Sequence, residues 1–168
     1  MAWHSRIARL TPRRAVLALL AALLMLIMRA LFTVSFELAC RAFALGPKER
    51  PFEESSDTVL HADIAWAVAF ASRRARGSRC LDRALVAKLL LGAFRRNCLL
   101  RVGVIAGPSG ALLGHAWVET AAGVVVGDDP AGLSKYKTLP QTLTLEQQLG
   151  FFLAMQRNYR SSKCDLAG

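Results

Sequence analysis

A chain of 168 residues has room for one domain, or for one domain with a helical extension. Its 54% hydrophobic and 20% charged residues exclude a disordered or collagen-like chain, and four cysteines are too few for a disulfide scaffold. The net charge of +10 points to an anionic partner, whether nucleic acid, a lipid surface or an acidic polypeptide.

The charge is unevenly spread. Residues 1–50 hold eight basic and two acidic side chains, residues 51–70 four acids and no base, and residues 71–101 nine bases against one acid. The remainder is balanced, so the basic character belongs to the N-terminal third and one central segment.

Ala15 to Met28 is unbroken apolar sequence, and with Arg29 tolerated the run extends to Phe36, long enough to reach across a bilayer. Three readings compete. A signal peptide suits the basic start at Arg6, Arg9, Arg13 and Arg14 and the cleavage-like Ala42-Phe43-Ala44, but Arg29, Glu37 and Arg41 intervene. A transmembrane anchor would keep those four arginines in the cytoplasm and send everything after residue 36 outside. A packed or membrane-peripheral helix continuing to about Phe43 is the third reading.

Gly46-Pro47-Lys48-Glu49-Arg50-Pro51 is rich in helix breakers and marks the best boundary. It divides the chain into an apolar, basic helical extension over 1–50 and a domain over 51–168. Ser55, Ser56 and Asp57 are candidate caps for a helix from Thr58 to Arg74, in which Leu60, Ile64, Ala67, Val68 and Ala71 recur at helical spacing. Arg73 and Arg74 suit its C-terminal end. Beyond Gly77-Ser78 a second helix is expected from near Cys80 to about Arg96.

The period then changes. Leu99–Ile105, Leu112–Glu119 and Val124–Val126 read as strands separated by turns at Pro108-Ser109-Gly110 and Ala121-Ala122-Gly123. From Pro130 the chain reads as loop until a last helix, about Leu145 to Asn158, with Thr144 as its cap candidate.

Cys80 falls at a helix start, where partial positive charge and free N–H groups favour a nucleophilic thiolate; Arg79 and Arg83 add positive charge. His115 lies in the strand Gly114-His115-Ala116-Trp117-Val118-Glu119, sharing a face with Trp117 and Glu119. Asp128 and Asp129 follow the next strand, and a hairpin brings an acid there back towards His115. A Cys, a His and an Asp in that order form the elements of a cysteine-nucleophile triad.

At these residues the chain resembles the lasso-peptide leader peptidases, the transglutaminase-like cysteine proteases of lasso-peptide biosynthesis. The resemblance runs from Cys80-Leu81-Asp82-Arg83-Ala84-Leu85 through Leu100-Arg101-Val102-Gly103-Val104 to His115-Ala116-Trp117-Val118-Glu119, within about residues 60–140. It implies an α+β fold with a papain-like core, a Cys-bearing helix on a small antiparallel sheet. It implies removal of the leader from a ribosomally made precursor peptide, with Cys80 as nucleophile, His115 as base and Asp128 as orienting acid. Asp128 is assigned because the turn Thr120-Ala121-Ala122-Gly123 reads one residue longer than the family's usual hairpin; Asp129 is the alternative. The implied partners are the precursor, a separate winged-helix leader-binding protein and an asparagine-synthetase-like lasso cyclase.

Trp117, Arg79 and Arg83 are candidates for lining the site or contacting substrate, with Trp117 equally suited to simple packing. The cluster of Arg73, Arg74, Arg76, Arg79 and Arg83 suits an acidic peptide or a partner protein, and equally a solvated face. Cys40, Cys98 and Cys164 lack metal spacing and read as buried thiols, and His4 and His61 are isolated, so no metal or cofactor is expected. No phosphate-binding glycine loop is present and the basic segment lacks interleaved aromatics, which argues against nucleic acid.

Two other readings stand beside the peptidase: a transglutaminase-like amidase or acyltransferase with an amine as acyl acceptor, and a non-enzymatic, membrane-associated basic adaptor. An enzyme that acts on newly translated peptide needs a reduced thiol in the cytoplasm, which the anchored topology would deny it. A packed helix, or one in peripheral contact with a membrane, is therefore the expectation for the apolar run.

Overall fold

A computed structural model describes residues 11–35, 57–75, 80–107, 112–128, 132–140, 143–144 and 146–155. Its first helix, α1, spans Pro12–Val34. Thr11 caps it by accepting the Arg14 N–H, and Pro12 stands at the first helical position, where a missing N–H is no loss. The helix ends earlier than the apolar pattern suggested: Ser35 is already extended. The β-branched Thr33 and Val34 weaken the last turn, and the Thr33 hydroxyl bonds back to the Ala30 carbonyl. The expected continuation to Phe43 and the breaker-rich linker lie outside the described residues.

Helix α2 spans Thr58–Arg74, the expected range. Its cap is Asp57, which accepts from Leu60 N at 3.0 Å. That bond, aided by the Arg96 guanidinium, holds the Asp57 carboxyl below its ordinary range. Helix α3 spans Cys80–Ala93. It stops short of Arg96 because Arg95 turns left-handed at φ 55°. Arg96 N then bonds Leu91 O, and Arg95 N bonds Gly92 O, which is a Schellman closure made without glycine.

Four strands follow in one antiparallel sheet: β1 (Leu99–Ala106), β2 (Leu112–Thr120), β3 (Gly123–Val126) and β4 (Lys137–Thr138), in the order β3-β2-β1-β4. Thr120 pairs with Gly123, so the β2–β3 turn is a tight one through Ala121 and Ala122. Val118 faces Val126 while Glu119 faces Val124, which leaves Val125 as a bulge. The turn itself spans two residues, and the residue that offsets the pairing lies in β3. A 3-10 turn at Leu133–Lys135 and the two-residue β4 occupy the stretch read from sequence as loop. The last helix, α4, is described over residues 146–155 and opens with a reciprocal cap between Thr144 and Gln147.

One apolar core joins these elements. Leu17, Ala21 and Met25 of α1 meet Ile64 and Val68 of α2, and Leu85 and Leu91 of α3 meet Val102, Ala116 and Val118 of the sheet, with Phe152 of α4 closing the same cluster. At the start of α1, Arg14 reaches the buried Asp63 at 2.6 Å and lies over the Trp66 ring at 5.7 Å, pinning α1 to α2. The N-terminal helix is therefore packed into the fold along its inner side.

Candidate active site

Cys80 is the first residue of α3, half-buried and unbridged. A thiol at that position meets the N–H groups of a helix first turn, which have no intrahelical partner. Its Sγ donates to the Gly114 carbonyl at 4.0 Å, so α3 delivers the thiol to β2 at the residue before His115.

His115 is half-buried and held from two directions. Its Nε2 lies 2.6 Å from the Gly127 carbonyl, just past the end of β3. A carbonyl only accepts, so Nε2 carries the proton, and in the neutral ring Nδ1 is left as the acceptor. The ring is also flanked by Trp117, with centroids 6.0 Å apart, and by Tyr136 at 5.1 Å.

Two glycines make this arrangement possible. Gly103 faces His115 across the β1–β2 ladder, and a Cβ there would stand 2.8 Å from Tyr136 Cβ and 2.9 Å from the Trp117 ring. Gly127 has φ +96°, and a Cβ there would stand 2.6 Å from Trp117 Cβ and 2.7 Å from the Ala116 carbonyl. Only glycine brings the main chain close enough for its carbonyl to reach the ring.

Trp117 is 2% exposed, so its side of the sheet is covered rather than solvated. Its Nε1 donates to Glu119 Oε1 at 2.6 Å, and Arg101 Nε donates to Glu119 Oε2 at 3.1 Å. This chain of bonds fixes the indole beside the imidazole.

Asp128 is exposed, and its carboxylate makes no hydrogen bond or ion pair among the described residues. The contact on His115 at this point of the chain comes from the main chain of Gly127. Asp129 and Arg79 lie outside the described residues, as do Cys40, Cys164, His4 and Arg76. Arg83, one helical turn beyond Cys80, is half-buried with its Nε enclosed and without a hydrogen-bond partner. Arg73 and Arg74 are exposed at the end of α2, and Arg74 lies over the Phe70 ring. Cys98 is a buried cysteine outside any disulfide. No group of three or more His, Cys, Asp or Glu residues suited to a metal ion occurs among the described residues.

The family model of the transglutaminase-like superfamily matches residues 21–141, which takes in Cys80, His115 and Asp128. The chain belongs to the transglutaminase-like superfamily. No curated protein and no solved structure matches it. The transglutaminase-like superfamily includes cysteine peptidases and acyltransferases, which share an acyl-enzyme and differ in whether water or an amine takes the acyl group. Its match begins inside α1, so most of the apolar helix falls within the transglutaminase-like region.

Sequence reasoning missed Tyr136 and Gly127. Tyr136 is a lone aromatic in a stretch without periodicity, and only the β1–β4 pairing carries it to the imidazole. Gly127 did carry a signal, a glycine directly before two acids, but its carbonyl is a main-chain atom that no side-chain motif reports.

A separate groove of about 240 Å³ lies between α2 and the β2–β3 turn, lined by Thr58, His61, Ala65, Thr120 and Val124 among others. His61 there is 7% exposed, and both ring nitrogens lack hydrogen-bond partners. Desolvation by burial holds its pKa below the ordinary value.

Proposed function

We propose that this protein is a cysteine peptidase that removes the leader from a ribosomally synthesised lasso-peptide precursor. The observation that supports the chemistry is a helix-start thiol bonded to the Gly114 carbonyl, one residue before an imidazole whose Nε2 is held by the Gly127 carbonyl. The peptide class rests on the resemblance of the Cys80, Leu100 and His115 segments to the lasso-peptide leader peptidases.

In this reading His115 Nδ1 takes the Cys80 proton, and the thiolate attacks the carbonyl carbon at the leader–core junction. The Cys80 N–H, free at the helix start, donates to the oxyanion. Collapse breaks the C–N bond, and His115 returns the proton to the departing amine of the core peptide. Water then attacks the leader thioester, with His115 again as base, and frees the leader carboxylate and the thiol. Asp128 is the proposed acid behind His115, acting on an imidazolium that the Gly127 carbonyl already orients. Arg83, and Arg79 one residue before the nucleophile, suit contacts to the precursor. Trp117 shields the thiolate–imidazolium pair.

The enzyme works in the cytoplasm, where thiols stay reduced. Its proposed partners are a separate winged-helix leader-binding protein, which presents the precursor, and an asparagine-synthetase-like cyclase that receives the freed core. The test incubates the full chain with precursor and leader-binding protein and reads products by mass spectrometry. Wild type is expected to release leader with a free carboxylate, C80A none, D128A reduced amounts, and D129A wild-type amounts. Cleavage retained in C80A refutes the assignment. Leader recovered as an adduct of an added amine refutes hydrolysis in favour of acyl transfer.

A further inference from the structure

α1 has two surfaces of the same polarity but opposite fate. Leu17, Ala18, Ala21, Met25 and Met28 are buried against the core. Val16, Leu19, Leu20, Leu23, Leu26 and Ile27 point outward, with Leu19 72% exposed, and the strip continues through Ala30 to Val34. At 100° per residue these positions fall within about one third of the helix circumference, and at 1.5 Å per residue the strip runs about 27 Å. Only 28% of the most apolar stretch of this helix is buried. So long a continuous apolar surface on a folded chain calls for a partner.

We propose that this outer face of α1 docks, lying in the plane of the surface, on a lipid bilayer that bears anionic headgroups. The composition of the strip argues for lipid. It is wholly aliphatic, without the aromatic, methionine or arginine side chains that anchor protein interfaces, and without a polar group that could fix a register. Its borders supply the second signal that stable interfacial binding needs: the exposed Arg29 flanks the strip on one side, and Arg13, which keeps 47% of its side chain exposed beside Asp63 at 3.6 Å, flanks it on the other, in a chain of net charge +10. In-plane rather than spanning geometry follows from the inner face. The Arg14–Asp63 ion pair and the buried side chains hold α1 on α2, so the helix cannot cross a bilayer without leaving the core. This inference stands independently of the peptidase reading.

The experiment is vesicle co-sedimentation of the full chain. Vesicles of phosphatidylcholine mixed with phosphatidylglycerol are compared with phosphatidylcholine alone, using wild type, an L19E/L23E/L26E variant and an R13Q/R29Q variant. All substituted side chains are exposed, and circular dichroism confirms that each variant folds. Wild type is expected to sediment with the anionic vesicles and be released by alkaline wash. The triple variant should bind about a thousand-fold more weakly, since burying each of the three leucines contributes on the order of a ten-fold factor. R13Q/R29Q should lose the preference for anionic over neutral vesicles. Wild type left in the supernatant overturns the proposal, as does binding unchanged by the glutamates. Resistance to alkaline wash overturns the in-plane geometry. A wild-type dimer that the glutamates dissociate, with no vesicle binding, shows that a second copy is the occupant and overturns the proposal.

Discussion

Replacing Gly127 with alanine tests whether the main chain holds the histidine. The new Cβ would meet Trp117 Cβ at 2.6 Å and the Ala116 carbonyl at 2.7 Å. These atoms belong to the middle of β2 and cannot rotate away, so the end of β3 must move instead. The φ of +96° adds a penalty for any residue with a Cβ. Left-handed backbone costs about 1–2 kcal/mol and overpacking about 1–3 kcal/mol, so G127A should lose about 2–5 kcal/mol of stability. A shift of about 1 Å also carries the carbonyl from 2.6 Å beyond hydrogen-bond range of His115 Nε2. A net hydrogen bond is worth about 0.5–1.5 kcal/mol, so losing control of the ring proton should slow Cys80 alkylation by up to about ten-fold. Urea titration gives the first quantity, and iodoacetamide rates in the folded range, followed against pH, give the second. An unchanged unfolding midpoint refutes the steric argument. Lower stability with unchanged alkylation refutes the role given to the carbonyl.

Two further outcomes follow from buried charge. His61 is kept below its ordinary value of 6.5, chiefly by burial, with Arg96 adding to the shift and Asp57 opposing it. Above that value the ring is neutral in both folded and unfolded chains. As pH falls below it, the unfolded chain takes up a proton that the folded chain refuses, so stability declines until the folded pKa is passed. Urea midpoints of wild type should therefore fall between neutral pH and mildly acidic pH, and H61L should show a shallower decline; parallel curves would contradict the argument. Separately, D63A leaves Arg13 and Arg14 without their shared carboxylate at the α1–α2 junction and should lower stability by about 1–3 kcal/mol, measured by urea titration, with D63A/R14M recovering part of the loss.

How far the sequence determines this fold differs from element to element. α2 was legible to the residue, because its cap and its apolar period are both local. α3 was read three residues too long, because its Schellman closure uses Arg95 where glycine would have announced it. β4 is too short to alternate, and exists only through its pairing with Gly103 and Val104. The same holds at the site. The places of Cys80 at a helix start and His115 on a strand are legible because helix starts and strand faces are periodic features of one segment. Tyr136 and the Gly127 carbonyl depend on pairings between distant segments, and the bulge at Val125 is an offset between two strands that neither strand encodes alone.

That bulge bears on how such a chain can vary over time. The carbonyl on His115 is a main-chain atom, so apart from Gly127 itself, where a Cβ does not fit, no side-chain substitution removes it directly. Its direction depends instead on a count of residues, since one more or one fewer between Gly123 and Gly127 turns successive carbonyls to opposite sides of the strand. This stretch can therefore absorb changes of letter more readily than changes of length, and insertions or deletions here should be far rarer among active descendants than replacements of Val124 or Val125.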